Sequence, residues 1–124
     1  MKILIVDDSD AILKIVGKML EDIGYQVGKA KDGAIAHTML LEDSSWDLIL
    51  LDWNMPNLSG IEFLEKNHQE KFFFGPVCMM TTEDNPEKIM KALEYGAVEY
   101  IMKPFTPEIL SSKIFDIVEL KNAG

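Results

Sequence analysis

The sequence is poor in several features that would each point to a particular class of protein. It has one cysteine, Cys78, so an internal disulfide is excluded. Acidic residues outnumber basic ones by 21 to 12, and the net charge of -9 argues against binding to a nucleic-acid backbone. No apolar run approaches membrane-spanning length, and no secretory leader precedes the first predicted strand. We therefore expect a cytoplasmic protein with neither a membrane nor a nucleic-acid partner.

Histidine is also scarce, which bears on the kind of metal the chain can hold. The two histidines, His37 and His68, fall on predicted helices or their ends, where a solvated surface role is expected. Cys78 lies in an apolar run and is expected to be a small buried residue. The sequence therefore offers no cluster of histidine and cysteine that would favour zinc.

The composition is otherwise that of an ordinary globular protein. Hydrophobic residues make up 48% of the chain and charged residues 27%, and both kinds are interleaved over all 124 residues. This length suits one compact domain. No linker, repeat or low-complexity stretch is visible. We therefore predict a single domain over residues 1–124 with no output domain attached.

Five short apolar segments alternate with stretches of helical periodicity, the pattern of an α/β protein. The predicted strands are Ile3 to Val6, Tyr25 to Ala30, Leu48 to Leu51, Val77 to Met80 and Tyr100 to Met102. The predicted helices are Ile12 to Ile23, Gly33 to Leu41, Gly60 to Asn67, a fourth opening at Asn85-Pro86-Glu87, and a fifth opening at Thr106-Pro107-Glu108. A cap, a proline and an acid in that order favour a helix start.

Right-handed crossovers between parallel strands, with helices on both faces, predict a three-layer sandwich with a five-stranded sheet in the order 2-1-3-4-5. Ligands bind where the winding direction switches, beside the ends of strands one and three. Those strands end in Asp7-Asp8 and Asp52. We therefore expect these three carboxylates to form one site at the carboxyl edge of the sheet.

Three carboxylates this close require a cation. Two unit charges about 4 Å apart repel by roughly 4 kcal/mol at an effective dielectric constant near 20. A ligand set made only of oxygens suits a hard divalent ion, and a partly hydrated Mg2+ that also contacts phosphate is the usual case. Thr81 and Lys103 follow strands four and five, and they would supply a hydroxyl and a cation to a phosphoryl group. The Lys103-Pro104 bond could be cis, which would aim the amine inward.

With these residues assigned, the chain resembles the receiver domain of bacterial response regulators, in particular the stand-alone CheY-like proteins of chemotaxis. The matching segments occur in order over essentially the whole chain. They are Val6-Asp-Asp-Ser9, Asp52-Trp-Asn-Met-Pro56 with Gly60, Met80-Thr-Thr-Glu83, Gly96-Ala97 and Tyr100-Ile-Met-Lys-Pro-Phe-Thr106. The resemblance implies the (βα)5 flavodoxin-like fold that CheY-like proteins share.

The resemblance also implies a role for each matching residue. Asp52 would be the phosphoacceptor, taking a phosphoryl group from a phosphohistidine of a sensor kinase. Asp8 and Asp52 would bind Mg2+ directly with the backbone carbonyl of Asn54, and Asp7 would act through a metal-bound water. Protein groups would mainly supply positioning and charge neutralisation. Such a protein is a signalling switch in a two-component system, not an enzyme with an output of its own.

Further positions would transmit the signal and set its lifetime. Thr81 would close on the phosphoryl group, Lys103 would pair with it, and Tyr100 would turn inward on activation. Asn54 and Glu83 would flank the path of a hydrolytic water. Thr82 stands where most members carry alanine or glycine, and its bulk could slow self-dephosphorylation.

The resemblance implies a set of partners. They are a sensor histidine kinase of the chemotaxis type, a downstream target for which the flagellar motor switch is the candidate, and a phosphatase. The switched surface would comprise helix four, strand five and helix five, with Lys88, Lys91, Tyr95 and Tyr100 exposed to an acidic partner segment.

Other functions compete with this interpretation. A phosphorelay intermediate would pass its phosphoryl group to a histidine phosphotransfer protein. A phosphatase of the haloacid dehalogenase type also uses Asp, Mg2+, Thr and Lys, but it requires a first-strand Asp-x-Asp arrangement that Asp7-Asp8 lacks. A flavin-binding protein of the same strand order is disfavoured, because these acids would repel the cofactor phosphate.

Each residue also has a purely structural alternative. Asp52 or Lys103 could be solvated charges, Asp7-Asp8 could cap the first helix, and Thr81 could tie down a loop. Tyr100 could simply pack on an edge strand. Trp53 is expected at the mouth of the site, and the run Phe72–Phe74 is expected to pack against the third helix.

Overall fold

The computed structural model describes residues 1–82 and 84–123, with side chains up to Glu119. In this part of the chain, five strands alternate with five helices, as the apolar pattern predicts. The strands are β1 (Lys2–Val6), β2 (Gln26–Ala30), β3 (Leu48–Asp52), β4 (Val77–Thr81) and β5 (Glu99–Met102). The helices are α1 (Asp10–Ile23), α2 (Gly33–Glu42), α3 (Gly60–Glu70), α4 (Pro86–Glu94) and α5 (Pro107–Ala123). The predicted elements are therefore confirmed, with small shifts at their ends.

The strands form one parallel sheet in the order β2-β1-β3-β4-β5, so the predicted order is confirmed. Every residue of β3 and β4 is buried, because both faces of these strands are covered by helices. On one face, α2, α3 and α4 contribute Ala36, Leu40, Phe63, Leu64 and Ala92 to the core. On the other face, α1 and α5 contribute Leu13, Val16, Leu20, Leu110, Ile114 and Ile117. The three-layer sandwich is confirmed.

Side-chain caps fix where helices begin at the carboxyl edge of the sheet. Ser9 is the N-cap of α1, and its hydroxyl accepts a hydrogen bond from the backbone N–H of Ile12 at 3.3 Å. Ser59 and Glu62 form a reciprocal capping box on α3. Asn85 caps α4, as predicted. Because Ser9 caps α1, the adjacent Asp7 and Asp8 are available for a different role.

Within the described residues, no helix combines the length and the apolar character needed to cross a membrane.

Candidate functional site

Three carboxylates meet at the carboxyl edge of the sheet, as the strand ends predict. Asp7 follows β1 directly, Asp8 comes next, and Asp52 is the last residue of β3. One carboxylate oxygen from each lies within 4.8 Å of the others. Asp7 and Asp52 are buried whereas Asp8 is exposed. The cluster is therefore accessible to solvent from the side of Asp8, its open side. This is the convergence that strands one and three were expected to produce.

Lys103 lies at the centre of this cluster. Its ammonium donates hydrogen bonds to Asp7 Oδ2 at 2.7 Å and to Asp52 Oδ1 at 3.0 Å. The peptide bond between Lys103 and Pro104 is cis. The two hydrogen bonds place the amine inside the site, and the Lys103 side chain is only 15% exposed, which rules out the alternative of a solvated surface lysine.

Burial and charge act in opposite directions on the ionisation of these groups. Burial raises the pKa of Asp52 above its ordinary value of 3.8, and the neighbouring Asp7 carboxylate adds to the rise. The hydrogen bond and charge of Lys103 offset only part of this effect. Burial would by itself lower the pKa of Lys103, but its contacts with Asp7 and Asp52 outweigh burial and raise the pKa above the ordinary value. Lys103 is therefore a firmly protonated cation, and Asp52 carries a charge that its surroundings do not fully compensate.

Backbone hydrogen bonds hold the strand ends in register. The N–H of Asp7 donates to Ala30 O at 3.0 Å, which ties the end of β1 to β2. The N–H of Lys103 donates to Thr81 O at 2.8 Å, which ties the residue after β5 to the end of β4. The N–H of Ser9 donates to Asp7 Oδ1 at 2.9 Å. Asp7 and Lys103 are therefore positioned by the ends of sheet strands and not by long loops.

The loop between β3 and α3 is held by contacts that sequence reasoning missed. Asn57 has a positive φ of 68°, and its side-chain amide donates to Asp32 Oδ2 at 3.2 Å. Gly60 donates its N–H to Trp53 O at 2.8 Å, and a Cβ at Gly60 would run into the backbone carbonyl of Asp52. The pair Pro56-Asn57 after a strand signals a turn. The hydrogen-bond partner of Asn57 could not be inferred, because Asp32 lies on another element.

Thr81 and Tyr100 lie beside one another at the far side of the site. Thr81 ends β4 and is buried, and Tyr100 on β5 is half-buried. Both line a small cavity of about 10 Å³ that extends towards Ala92 and Leu93 of α4. This volume is about the minimum that one water molecule needs. The cavity connects the neighbourhood of Thr81 with the ring of Tyr100 and with α4.

Trp53 does not lie at the mouth of the site, so that expectation is wrong. Its side chain is only 8% exposed and lines the same cavity as Thr81 and Tyr100. The physical reason is the pleat: Trp53 follows Asp52 directly, and successive side chains at a strand end point to opposite faces of the sheet. The ring therefore packs into the core formed with α3 and α4.

The remaining predicted residues lie around the open side. Asn54 and Thr82 are exposed beside Asp52 and Thr81. Glu83 lies outside the described residues.

The two histidines lie against aromatic rings. His37 packs edge-on against Phe72 with 4.4 Å between ring centroids, and the ring centroid of His68 lies 6.1 Å from that of Tyr95. His37 is thus half-buried, not a fully solvated residue as expected.

The donor set fits a hard divalent cation. Asp7, Asp8 and Asp52 offer only oxygen ligands at mutual distances within 4.8 Å, and the net charge of three carboxylates exceeds what Lys103 alone neutralises. Mg2+ is a cation of this kind.

Comparisons with known proteins agree with this geometry. The response regulator receiver domain family matches residues 3–115. The chemotaxis protein CheY of Pseudomonas aeruginosa is 38% identical over 124 residues, covering 98% of this chain and 99% of that protein. The CheY homolog of Campylobacter jejuni is 36% identical over 120 residues, covering 95% of this chain and 92% of that protein.

Solved structures show the same architecture. The chemotaxis protein CheY4 of Vibrio cholerae matches with a TM-score of 0.87 at 37% identity, covering 94% of this chain and 97% of that one. The CheY-like receiver domain protein of Methanospirillum hungatei matches with a TM-score of 0.88 at 34% identity, covering 99% and 98%. Sequence, fold and acidic site agree, and the chain therefore belongs to the response regulator receiver domain family, as a receiver of the CheY type.

Proposed function

We propose that this receiver is a cytoplasmic phosphoacceptor switch, in which Asp52 takes a phosphoryl group from a phosphohistidine of a sensor kinase. The observation that carries the proposal is the bridge that Lys103 makes between Asp7 and Asp52, 2.7 and 3.0 Å away. A buried carboxylate beside a protonated amine, with an exposed acid at the open side, is suited to phosphoryl transfer.

In the transfer, an Asp52 carboxylate oxygen forms a bond to phosphorus as the phosphorus–nitrogen bond of the phosphohistidine breaks. The electron pair of that bond returns to the imidazole, and an acyl phosphate is left on Asp52. Asp8, Asp52 and the backbone carbonyl of Asn54 would hold Mg2+, with Asp7 acting through a bound water. The metal would supply neutralising positive charge. The protein mainly positions the reactants, because little other chemistry is required.

The phosphoryl group changes which contacts Lys103 and Thr81 make. It adds about 1.5 to 2 negative charges and three acceptor oxygens. Lys103 can then exchange its hydrogen bond to Asp52 for one to a phosphoryl oxygen, and the Thr81 hydroxyl can donate to another. Thr81 also lines the cavity that it shares with Tyr100. This supports Tyr100 as the residue that turns inward when Thr81 moves.

The surface that reads this change comprises α4, β5 and α5. Lys88 and Lys91 are exposed on α4, and Tyr95 and Tyr100 are half-buried beside them. The ammonium of Lys113 on α5 lies 5.5 Å from the Tyr100 ring, so the ring is already in contact with the neighbouring helix. We propose that this surface binds an acidic segment of a downstream protein. The names of the relatives favour a role in chemotaxis. We propose the flagellar motor switch as the target.

The lifetime of the acyl phosphate depends on access of water to the open side. Asn54 and Thr82 are exposed there. With Glu83, they are the residues that we propose set the rate of self-dephosphorylation. A phosphatase partner would act on the same open side.

The test is incubation with Mg2+ and acetyl phosphate, followed by intact mass measurement. Wild type should gain one phosphoryl group, and Asp52→Asn should gain none. Asp43→Asn is the matched control, because Asp43 is also bonded to a lysine but lies at the opposite edge of the sheet. It should be labelled like wild type. Label on Asp52→Asn, or none on wild type, would refute the proposal. Transfer from labelled Asp52 to a histidine phosphotransfer domain would instead indicate a relay.

A further inference from the structure

The ammonium of Lys113 lies between two groups of β5, which is the outermost strand on its side of the sheet. Lys113 on α5 forms an ion pair with Glu99 Oε1 at 3.3 Å, and its ammonium lies 5.5 Å from the centroid of the Tyr100 ring. The Lys113 and Glu99 side chains are 33% and 25% exposed, so both are partly shielded from water. One cation therefore joins a carboxylate and an aromatic ring that are adjacent in the chain.

The contact between Lys113 and the Tyr100 ring connects the two helical layers. Successive side chains of a strand point to opposite faces of the sheet. Tyr100 packs against the core on the side of α2, α3 and α4, whereas Ile101 next to it packs on the side of α1 and α5. Lys113 belongs to α5, so its ammonium reaches around the edge strand to meet the ring from the other layer. This contact defines the outward position of the ring.

The position of Glu99 does not depend on where the ring points. Glu99 Oε1 accepts a hydrogen bond from the backbone N–H of Tyr100 at 2.9 Å, so the carboxylate is tied to the strand itself. Rotation of the Tyr100 side chain about its own bonds leaves that backbone N–H in place. Glu99 therefore keeps the Lys113 ammonium at the edge of β5 in either ring position.

An inward turn of the ring would break its contact with Lys113. The cavity that Thr81 shares with Tyr100 extends towards α4, where Ala92 and Leu93 line it. A ring that turns towards Thr81 moves in this direction, away from α5 and from the ammonium that Glu99 retains. The Lys113 contact is thus made in only one of the two ring positions. Such a contact shifts an equilibrium between two states, whereas a contact made equally in both states does not.

We propose that Lys113, oriented by Glu99, is a positioning residue that holds Tyr100 outward in the unphosphorylated protein and so opposes activation without phosphate. This inference rests on the proposed function, because it concerns the tyrosine that the switch is proposed to turn. A cation beside an aromatic ring at a partly exposed site changes such a population by roughly two- to fivefold. Loss of Lys113 should therefore raise the inward population of the unphosphorylated protein about threefold.

The test uses the full chain with carbon-13 in the rings of its three tyrosines and follows their NMR signals. Tyr100→Phe identifies the Tyr100 signals by their loss. Wild type treated with acetyl phosphate and Mg2+ marks the inward signal position, and broadening by a neutral gadolinium chelate measures the exposure of each ring. In unphosphorylated Lys113→Met, the Tyr100 signals should shift towards the inward position, and their broadening by the chelate should fall.

Matched variants separate this role from a general effect of surface charge. Lys91→Met removes the same charge from α4, where the ammonium lies 5.9 Å from the Tyr95 ring, so it should change the Tyr95 signals and leave those of Tyr100 in place. Lys113→Arg should behave like wild type, because a guanidinium also pairs with a carboxylate and stacks on a ring. Glu99→Gln should act in the same direction as Lys113→Met but more weakly, because the ammonium loses its charged partner and can still reach the ring.

Unchanged Tyr100 signals in Lys113→Met, or an equal change in Lys91→Met or Lys113→Arg, would overturn the proposal. So would greater broadening of the Tyr100 signals in Lys113→Met, because Lys113 would then only shield the ring from water. The exposure of the ring is compared among unphosphorylated proteins, so this comparison does not require phosphorylation. Absence of label on Asp52 in wild type would instead refute the proposed function, and the effect of Lys113 on ring exposure would still be measured.

Discussion

Two lysine–aspartate clusters lie at opposite edges of the same sheet, and they show how burial turns similar groups to different uses. At the carboxyl edge, Lys103 bridges Asp7 and Asp52, and the three side chains are only 15%, 1% and 10% exposed. At the amino edge, Lys2 pairs with Asp43, and these side chains are 27% and 41% exposed. The residue types of the two clusters are the same, but the side chains at the amino edge are more exposed to solvent.

The ionisation of the two acids differs accordingly. Hydrogen bonds from Lys2 and Ser45 lower the pKa of Asp43 well below its ordinary value, because little burial opposes them. At Asp52, burial outweighs the bond from Lys103 and raises the pKa. Asp43 is therefore a satisfied charge that helps hold the chain together. Asp52 is an incompletely compensated charge, and such groups concentrate at functional sites.

The largest contrast is expected between two glycines, one at the start of α3 beside the site and one in the middle of β2. A Cβ at Gly60 would strike the carbonyl of Asp52 and lie 3.0 Å from Trp53 Cα, so only backbone movement could relieve it. A Cβ at Gly28 would meet the Trp46 ring, a side chain that can swing away. Gly60→Ala should lower the free energy of unfolding by about 3 kcal/mol and slow phosphorylation, and Gly28→Ala should cost about 1 kcal/mol. Urea unfolding and labelling with acetyl phosphate would measure both effects.

Equal losses of unfolding free energy in the two glycine variants would show that the backbone of the β3–α3 turn moves as easily as the Trp46 side chain. Normal phosphorylation of Gly60→Ala would contradict the idea that this turn positions Asp52.

The two lysines provide the next contrast. Lys103→Ala leaves Asp7 and Asp52 without their shared cation. It should lower the free energy of unfolding by about 2 kcal/mol, less than the roughly 3 to 5 kcal/mol lost when a fully buried ion pair is broken, because Lys103 is 15% exposed. Adding Mg2+ should restore much of this loss, because the metal supplies the missing positive charge and binds only the folded state. Lys2→Ala should cost less, since its pair with Asp43 is partly solvated.

Thermal unfolding with and without Mg2+ measures this difference. No gain in the stability of Lys103→Ala on adding Mg2+, or a gain no larger than that of Lys2→Ala, would argue against a metal site at Asp7, Asp8 and Asp52.

The smallest effects are expected for the two acids, and they should have opposite signs. Asp52→Asn should raise the free energy of unfolding at pH 7 by about 1 kcal/mol, because it removes a repelled charge. The pKa of Asp52 is raised in the folded protein, so its unfavourable contribution exists above that pKa and disappears as the pH falls through it. The advantage of Asp52→Asn should therefore vanish in acid.

Asp43→Asn should lower stability at pH 7. The depressed pKa of Asp43 stabilises the fold above the ordinary value of 3.8, and this contribution is lost as the pH falls through the folded pKa. Urea midpoints between pH 3 and pH 7 would test both variants. A loss of stability in Asp52→Asn at pH 7 would mean that Lys103 already compensates the charge fully.

Most of the architecture could be predicted because its signals are local. Apolar runs marked the strands, and Asn85-Pro86 marked the start of α4, since a cap and a proline act on their immediate neighbours. The first helix ends before Gly24, whose φ of 108° is a left-handed conformation that glycine adopts without a steric penalty. The strand order followed from handedness rules that apply to any such alternation.

The misses involve segments that are distant in sequence. The pairing of His37 with Phe72 and the bond between Asn57 and Asp32 each join different elements. No local pattern encodes such contacts, because they depend on how helices settle on the sheet.

The sequence by itself determined which chemical groups stand at the strand ends, because strand length and helix caps are local properties of the chain. Only the tertiary structure decided what those groups do to one another. Lys103 reaches Asp7 and Asp52 across 96 and 51 residues of sequence. Burial in that assembled pocket raises the pKa of Asp52, whereas solvent at the opposite edge leaves Asp43 with a lowered one. Desolvation arises only when separate segments pack together. It leaves the charge of Asp52 incompletely compensated at one edge, whereas the similar cluster at the other edge is a structural ion pair.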